Sequence, residues 1–445
     1  MFILRDLLRP LQTQFSNTTL GQERAALFAY TLLSIIVPFT SSITSNCLRC
    51  LETLFGITIK QKRFYTFMAS STLPWQKLWQ TAWGLIPTPE TDGRVLVALD
   101  DFINPKVGKH IFGCETIFDH AAKANQSQYP WAQNVVAVGL LKRIKGRWAC
   151  LFLDFRFYLA LKTISTQKAT AKIKGGVVPF QTKLAQAGQM LIDIGQYFAD
   201  APLLAVMDSW FGNDSLWKPV RQALGHRFHL LSRLRSNAVL YAPPETVKPG
   251  QRGRRRKYGQ RLGSVSEMAS TFRTSAHTYR VDLYGKQRDV LAYTDIVMLR
   301  TLKCPVRVVW VFRKTQWVAL FTTDLDLSVI QIIEYYGARW KIEAGFKELK
   351  QDIGSRTCQC RNAQAVINHL HLCMMASTLT WIYADRLKAH PQRRHKVKGR
   401  TGFAFSDVRR IIAEAAIDQD FDKACPRPGI STPNPIVAVL LRMVA

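Results

Sequence analysis

Carboxylates follow two short apolar runs of the sequence. The run RVLVAL, residues 94–99, is followed by Asp100 and Asp101, and the run LLAVM, residues 203–207, is followed by Asp208. Such runs are typical of strands buried on both faces, and a side chain that ends one lies at an edge of the sheet. A third carboxylate, Glu343, falls within a helical pattern predicted over residues 330–353. Brought together, three carboxylates could bind Mg²⁺, which prefers oxygen ligands.

The chemistry of such a site is phosphoryl transfer. Two Mg²⁺ ions roughly 3.5 to 4 Å apart can activate a water or 3′-hydroxyl and stabilise the leaving oxygen, so no side-chain nucleophile is needed. Neither a Walker loop nor an HExxH run is present, which disfavours nucleotide-driven motors and zinc proteases. The predicted ligands are Asp101, Asp208 and Glu343. Asp100 stays an alternative to Asp101, because the two side chains point to opposite faces if the strand continues.

Polar residues around Glu343 recur at helical spacing. Tyr336, Arg339, Glu343, Lys347 and Lys350 are separated by 3, 4, 4 and 3 positions, so they form one stripe of a helix. One interpretation is a solvated surface with an ion pair between Glu343 and Lys347. The other is a site where the cations contact phosphates, because apolar residues between these positions can face the core.

The surrounding pattern predicts an α/β protein of several parts. Short apolar runs alternate with helical segments in the middle of the chain, and both ends have helical spacing. The predicted parts are a helical DNA-binding domain at 1–90, the first part of a catalytic core at 91–241, a β-rich insertion at 242–305, the second part of the core with the Glu343 helix at 306–375, and a helical basic region at 376–445.

The charge of the chain indicates an anionic partner. Lys and Arg total 61 against 31 Asp and Glu, which gives a formal net charge of +30. DNA, RNA and acidic membranes all attract such a chain. Basic stretches recur, as in residues 251–257 and 393–400, and this repetition favours a large nucleic-acid interface.

The location of the protein is predicted from its cysteines and apolar segments. Nine cysteines without a regular framework indicate free thiols in a reducing, cytoplasmic compartment, and the amino terminus lacks the features of a secretory signal. Residues 25–48 carry no charge and are long enough to span a membrane. Pro38 and a polar cluster after it favour two buried helices instead, so no membrane partner is predicted.

Three sequence motifs resemble those of a known family. YGARWKIEAGFKELK, residues 336–350, resembles the Y-x2-R-x3-E-x6-K signature of bacterial insertion-sequence DDE transposases of the cut-and-paste type. VALDDF, residues 97–102, and LLAVMDSW, residues 203–210, resemble the two Asp motifs of that family. The order of the motifs agrees, and the interval between Asp208 and Glu343 leaves room for the inserted β-domain of the family. Phe102 departs from the pattern, since many relatives have a hydroxyl residue after the Asp.

The resemblance implies a fold and an activity. The fold is α/β, with a ribonuclease-H-like core of the retroviral-integrase type, an inserted β-rich domain, and helical regions at both ends. The activity is that of a DNA transposase that binds terminal inverted repeats and catalyses two-metal strand cleavage and transfer, with two Mg²⁺ ions or Mn²⁺ in their place. Implied partners are the transposon ends, the target DNA and a second copy of the chain in a synaptic homodimer, in the bacterial cytoplasm with the nucleoid.

The resemblance also implies roles for individual residues. The metal ligands are Asp101, which aligns best with the first Asp of the family, Asp208 and Glu343. Residues implied to contact DNA near the cleaved phosphate are Tyr336, Arg339 and Lys350, with Lys347 on the same stripe. Trp317 lies close to the place of a tryptophan that stacks beside a flipped base. The alternatives are a degenerate Mg²⁺-dependent nuclease and a basic DNA-binding protein without catalysis.

Overall fold

The structure is a computed structural model that describes residues 3–119, 122, 124–244, 256–395, 398 and 402–417. The basic stretches 251–257 and 393–400 and the end of the predicted carboxyl-terminal region therefore lie partly outside the described residues. The cysteines within the described ranges are all free thiols, as predicted.

Helices form the amino-terminal part of the chain, as the spacing of apolar residues predicts. They are α1 (Ile3–Gln12), α2 (Thr19–Ile36), α3 (Thr44–Phe55), α4 (Gln61–Met68) and α5 (Trp75–Gly84). Thr18 caps α2 by accepting a hydrogen bond from the Gly21 amide. The chain breaks around Pro38 between α2 and α3, so residues 25–48 belong to two mostly buried helices. Within the described ranges, no helix is long and apolar enough to cross a membrane.

Strands dominate the next part of the chain. The elements are β1 (Val95–Pro105), β2 (Cys114–Thr116), β3 (Trp131–Ile144), β4 (Arg147–Tyr158), α6 (Leu161–Ser165), β5 (Lys172–Ile173), β6 (Gly176–Val177), α7 (Lys183–Tyr197), β7 (Leu203–Met207), α8 (Asp214–Leu224) and β8 (Phe228–Arg233). The first five residues of β1 and all of β7 are buried, as the apolar runs predict. However, β1 does not end before the aspartates but continues six residues beyond Leu99, because β3 still provides a hydrogen-bonding partner there.

Strands also dominate the described part of residues 242–305, the segment predicted as an insertion. β9 (Val239–Tyr241) lies just before this segment. The segment contains β10 (Arg261–Ser264), α9 (Val265–Phe272), β11 (His277–Leu283) and β12 (Lys286–Leu299), and it leads into β13 (Cys304–Arg313) and β14 (Gln316–Thr322). Apart from β5 and β6, which pair only with each other, the described strands form one large sheet in the order β10-β9-β12-β13-β14-β8-β7-β1-β3-β2, with β11 beside β12 and β4 beside β3. β7 lies between β1 and β8 and is parallel to both. The strands of residues 242–305 therefore extend the sheet that contains the aspartates.

Three consecutive helical segments begin the last helical part of the chain. They are α10 (Val329–Ala338), α11 (Trp340–Lys347) and a π-helical turn (Glu348–Asp352), followed by α12 (Ala363–Arg386) and α13 (Phe405–Ile417). The single helix predicted over residues 330–353 is thus interrupted at Arg339 and widens near its end, where the Ile353 amide bonds the Glu348 carbonyl. α12 is buried over most of its length and packs against α2, α5 and β4.

Candidate active site

The two aspartate motifs meet at one edge of the sheet. β1 and β7 run parallel and pair up to Leu99 and Met207, so Asp100 and Asp208 are the next residues on adjacent strands. β7 ends there, whereas β1 continues along β3. From Asp100 onwards, β1 therefore has no strand partner on its β7 side, where the loop that carries Asp208 lies.

The alternation of side chains along β1 separates the two adjacent aspartates. Asp100 and Phe102 face α11, where the rings of Phe102 and Phe346 lie 4.4 Å apart between centroids. Asp101 faces α7 instead, and its Oδ2 accepts a hydrogen bond of 2.8 Å from Lys183 Nζ. The structure therefore places the carboxylate of Asp100 beside the Glu343 helix, where that of Asp101 was expected.

Arg339 joins two of the carboxylates. Its Nη1 donates to Asp100 Oδ2 at 2.9 Å, and its Nη2 donates to Glu343 Oε1 at 3.1 Å. Only 8% of the arginine side chain is exposed. Its Nε is also buried and has no hydrogen-bond partner among the described residues. The guanidinium therefore lies between two acids and keeps one donor for another group.

Glu343 approaches the sheet because a glycine follows it on α11. A Cβ atom at Gly345 would lie 3.1 Å from the Phe152 ring on β4, so a larger residue would push the helix outwards. Phe346 packs on the same ring with 5.8 Å between centroids. These contacts fix the height of Glu343 above the strand ends.

A tight turn holds Asp208 in place. Its Oδ1 accepts hydrogen bonds from the amides of Trp210 and Phe211, and its carbonyl accepts one from Ser232 Oγ at 2.7 Å. A Cβ atom at Gly212 would lie 2.5 Å from that Oγ, so the turn requires glycine there. The other carboxylate oxygen of Asp208, Oδ2, accepts no hydrogen bond within the part of the chain that the structure describes, which leaves this oxygen to face a ligand.

Burial and the charge of Asp208 destabilise the anionic forms of Asp100 and Glu343. Burial raises the pKa of Asp100 to about 7, against the opposing effect of Arg339, and the charges of Asp208 and Asp101 raise it further. Burial likewise raises the pKa of Glu343; Arg339 opposes this shift, and Asp208 adds to it. Asp208 is therefore close enough to act on both, and the group has more negative charge than one arginine neutralises.

A divalent cation fits the chemistry of this group but not its present spacing. Within the described residues, no three Asp, Glu, His or Cys side chains are close enough to hold a metal ion. Arg339 lies between Asp100 and Glu343, and it provides the positive charge there. The donors are carboxylate oxygens, the ligands that Mg²⁺ prefers, and their raised pKa values indicate that further positive charge would stabilise them.

The other residues of the predicted stripe have different surroundings. Tyr336 is half-buried beside Arg339, and burial raises the pKa of its hydroxyl. Lys347 is exposed on α11. Lys350 lies on the π-helical turn, 5.7 Å from the centroid of the Phe102 ring, and burial lowers the pKa of its ammonium group. Lys350 therefore lies at the face of β1 that carries Asp100 and Phe102.

Trp317 lies farther along the same edge. It is half-buried at the start of β14, opposite Phe312 of β13. β14 pairs with β8 only from Leu320, which is level with Arg233, so Trp317 is on the part of the hairpin that extends past β8. The structure does not place it in contact with the three acids.

Three neighbouring residues were not predicted. Arg233 ends β8 at this edge and lowers the pKa of Tyr336, and Lys183 and Trp210 lie on the Asp101 side. A strand signal could have located Arg233, because it ends the short β-strand FHLLSR. Lys183 begins a helix, and its sequence neighbours carry no such signal.

Part of the chain matches a known family of proteins. Residues 182–379 match the family model described as the transposase DDE domain, from the start of α7 into α12. The matched segment contains Asp208, Arg339 and Glu343, while Asp100 and Asp101 precede it. No curated protein matches the chain. This match covers less than half of the 445 residues and supports a DDE transposase domain within residues 182–379.

Proposed function

We propose that the chain is a cut-and-paste DNA transposase that binds terminal inverted repeats and catalyses strand cleavage and strand transfer. The observation that carries the proposal is the grouping of Asp100, Asp208 and Glu343 around Arg339 at one sheet edge. The matched transposase segment contains three of these four residues. A net charge of +30 supports a nucleic-acid substrate.

We infer a ribonuclease-H-like core for this enzyme. Support comes from the strand order β4-β3-β1-β7-β8, in which β3 is antiparallel to both of its neighbours and β7 and β8 are parallel to β1. Elements β10 to β12, within residues 242–305, would be the inserted β-domain between the second acid and Glu343. The helices before β1 and after α12 would be the flanking regions, the former binding DNA.

We assign the first acid to Asp100 in place of Asp101. Asp100 shares Arg339 with Glu343 and interacts electrostatically with Asp208, whereas Asp101 is paired with Lys183. The carboxylates of Asp100, Asp208 and Glu343 would hold an ion on one face of the sheet. The Asp101 side chain points to the opposite face of β1, so it could join them only if the strand rotated.

The proposed cofactor is a pair of Mg²⁺ ions, with Mn²⁺ as a substitute. Bound ions would activate the attacking hydroxyl or water and stabilise the leaving 3′-oxygen. A cation held by Asp100 and Glu343 would neutralise these acids and leave the Arg339 guanidinium free to donate to a DNA phosphate instead. Asp208 keeps its orientation through the Trp210 and Phe211 amides.

The remaining residues of the stripe would position the DNA. Tyr336 and Arg339 would contact the strand at the cleaved phosphate, and Lys347 and Lys350 would neutralise phosphates along it. Trp317 stays a candidate for stacking on a flipped base, at the projecting end of β14. Two copies of the chain would synapse the two ends of a mobile element in the bacterial nucleoid.

The test is Mg²⁺-dependent cleavage of DNA that carries the inverted repeats flanking the gene. Glu343→Gln should lower the cleavage rate roughly 10³-fold, since a metal site contributes several kcal/mol to the transition state. Glu334→Gln, on α10 and paired with Arg143, is the matched control and should cleave like the parent.

Other outcomes identify the alternatives. Equal cleavage by Glu343→Gln and the parent would overturn the site. Cleavage of all DNA alike, with no preference for the repeats, would indicate a nuclease that has lost end recognition. Binding without cleavage would indicate a DNA-binding protein that lacks catalysis.

A further inference from the structure

A second polar cluster lies on the other face of the same strands. Lys183, the first residue of α7, donates to Asp101 Oδ2 at 2.8 Å. Its Nζ also lies 5.2 Å from the centroid of the Tyr158 ring and 5.8 Å from that of Trp210. The ammonium group is thus placed between one carboxylate and two aromatic rings, and 19% of the lysine side chain is exposed.

Trp210 is unusually exposed for its size. Its exposed fraction is 45%, yet its main chain is fixed because its amide bonds Asp208 Oδ1. Its ring packs edge-on against the buried Phe211, with 4.8 Å between centroids. An exposed aromatic face on a rigid turn is suited to stacking, because little conformational freedom is lost on binding.

The position of Trp210 relates the cluster to the candidate active site. Trp210 lies two positions after Asp208, a span of at most roughly 7 Å along the chain. Phosphates of one DNA strand recur about every 3.4 Å along the helix axis. A base stacked on Trp210 would therefore belong to a nucleotide one or two positions from a phosphate held at Asp208.

We propose that Tyr158, Lys183 and Trp210 form a nucleotide-binding subsite in which Trp210 stacks on a DNA base and Lys183 exchanges Asp101 for a backbone phosphate. The proposal rests on the proposed function, since it takes DNA to be the substrate at Asp208. Stacking on an aromatic ring tolerates any base, and lysine binds phosphate as a point charge. Partly exposed ion pairs are weak, so a phosphate can replace Asp101 at small cost.

This subsite gives Asp101 a role other than metal binding. Without DNA, its carboxylate keeps Lys183 beside the two rings and prevents the ammonium from moving into solvent. With DNA, the same carboxylate is left without its partner at a position where a quarter of the side chain is exposed, so water can solvate it. Asp101 is then a positioning residue for a DNA contact.

The charge contact is tested by the salt dependence of DNA binding. The probe is a duplex with a single-stranded 3′ overhang, whose bases are free to stack. Lys183→Met should reduce the slope of log K against log salt concentration by about 0.7 to 0.9, the value for one phosphate contact. Lys183→Arg should keep the slope. The matched control, Lys145→Met, changes a lysine in the β3–β4 turn at the opposite end of these strands and should also keep it.

The stacking contact is tested by pairing protein variants with abasic DNA. Trp210→Ala should weaken binding roughly tenfold, as expected for one stacked base, and Trp210→Phe should retain most of the affinity. One abasic position in the overhang should weaken binding to the parent but not to Trp210→Ala. A merely structural tryptophan would show no such dependence on DNA position, and Trp210→Phe reports the stacking even if the alanine variant folds poorly.

Failure of this subsite can be told from failure of the proposed function. If the parent cleaves DNA while Lys183→Met keeps the parental salt slope and no abasic position is coupled to Trp210, the subsite is overturned and the transposase remains. If the parent does not cleave, the proposed function fails, but both binding measurements still report on Lys183 and Trp210.

Discussion

Asp100 and Asp101 are adjacent in sequence, but the two faces of β1 give them different surroundings. Asp100 lies on the α11 face, is 17% exposed, shares Arg339 with Glu343 and has a pKa of about 7 because of burial. Asp101 lies on the α7 face, is 25% exposed and has an ion pair with Lys183 alone. A modest difference in burial thus accompanies a large difference in the number of acids nearby.

The comparison teaches that grouping matters more than the charge of any single acid. On the α11 face, three acids compete for one arginine, so protons or cations are favoured there. On the α7 face, one acid and one lysine neutralise each other. The first arrangement suits a metal-dependent reaction, and the second suits a contact that can be exchanged for a phosphate.

The largest expected effect comes from comparing Asp100→Asn with Asp101→Asn. We expect Asp100→Asn to lower Mg²⁺-dependent cleavage roughly 10³-fold, because it removes a metal ligand. Asp101→Asn should lower it about tenfold or less, since it only loosens Lys183. Cleavage rates at saturating DNA are the measurement, and the reverse ranking of the two variants would return the ligand role to Asp101.

A smaller effect is expected from changing the arginine that the two acids share. Arg339→Gln leaves Asp100 and Glu343 without their partner. In EDTA it should lower the free energy of unfolding by up to about 3 kcal/mol, which is measured as a lower melting temperature. Added Mg²⁺ should raise the melting temperature of this variant more than that of the parent. Cleavage should fall roughly 100-fold. Arg339→Lys, which keeps the charge, is the control; an equal response to Mg²⁺ in all three proteins would argue against a cation site here.

The smallest effect concerns pH in the absence of divalent ions. The pKa of Asp100 is raised by burial from 3.8 to about 7, so its contribution to stability is complete below about pH 4 and is lost as pH rises through about 7. Asparagine does not titrate. The melting temperature of Asp100→Asn relative to the parent should therefore increase by roughly a few degrees between about pH 5 and about pH 8. A difference that stays constant with pH would show that Asp100 is already ionised, and Asp101→Asn is the control.

Much of this site could be predicted from residue patterns. The apolar runs predicted β1 and β7, and the helical spacing predicted that Arg339 and Glu343 lie on one stripe of a helical segment. Those features are local, because burial of a strand or of one helix face leaves a pattern in consecutive residues. The helical ends of the described chain and the division around Pro38 follow in the same way.

The choice between Asp100 and Asp101 could not be made from the apolar run alone. Both follow Leu99, and the faces of β1 are distinguished only by what packs on each one. The π-helical turn was missed for a related reason, since the extra residue in that turn depends on the packing of buried Leu349 and on Glu348, which bonds Trp381. Lys183 and Trp210 come together only because α7 folds back over the sheet.

The continuity of the sheet limits how the protein can be shortened. β12 pairs with β13 from Leu291 to Leu299, so the predicted insertion covers one edge of a strand that reaches the core through β14 and β8. Deleting residues 242–305 would uncover the apolar β13, and unpaired strands of this kind recruit other chains. A minimal catalytic fragment made this way would tend to aggregate. The segment 242–305 therefore keeps the edge of β13 from pairing with other chains, whatever DNA it also contacts.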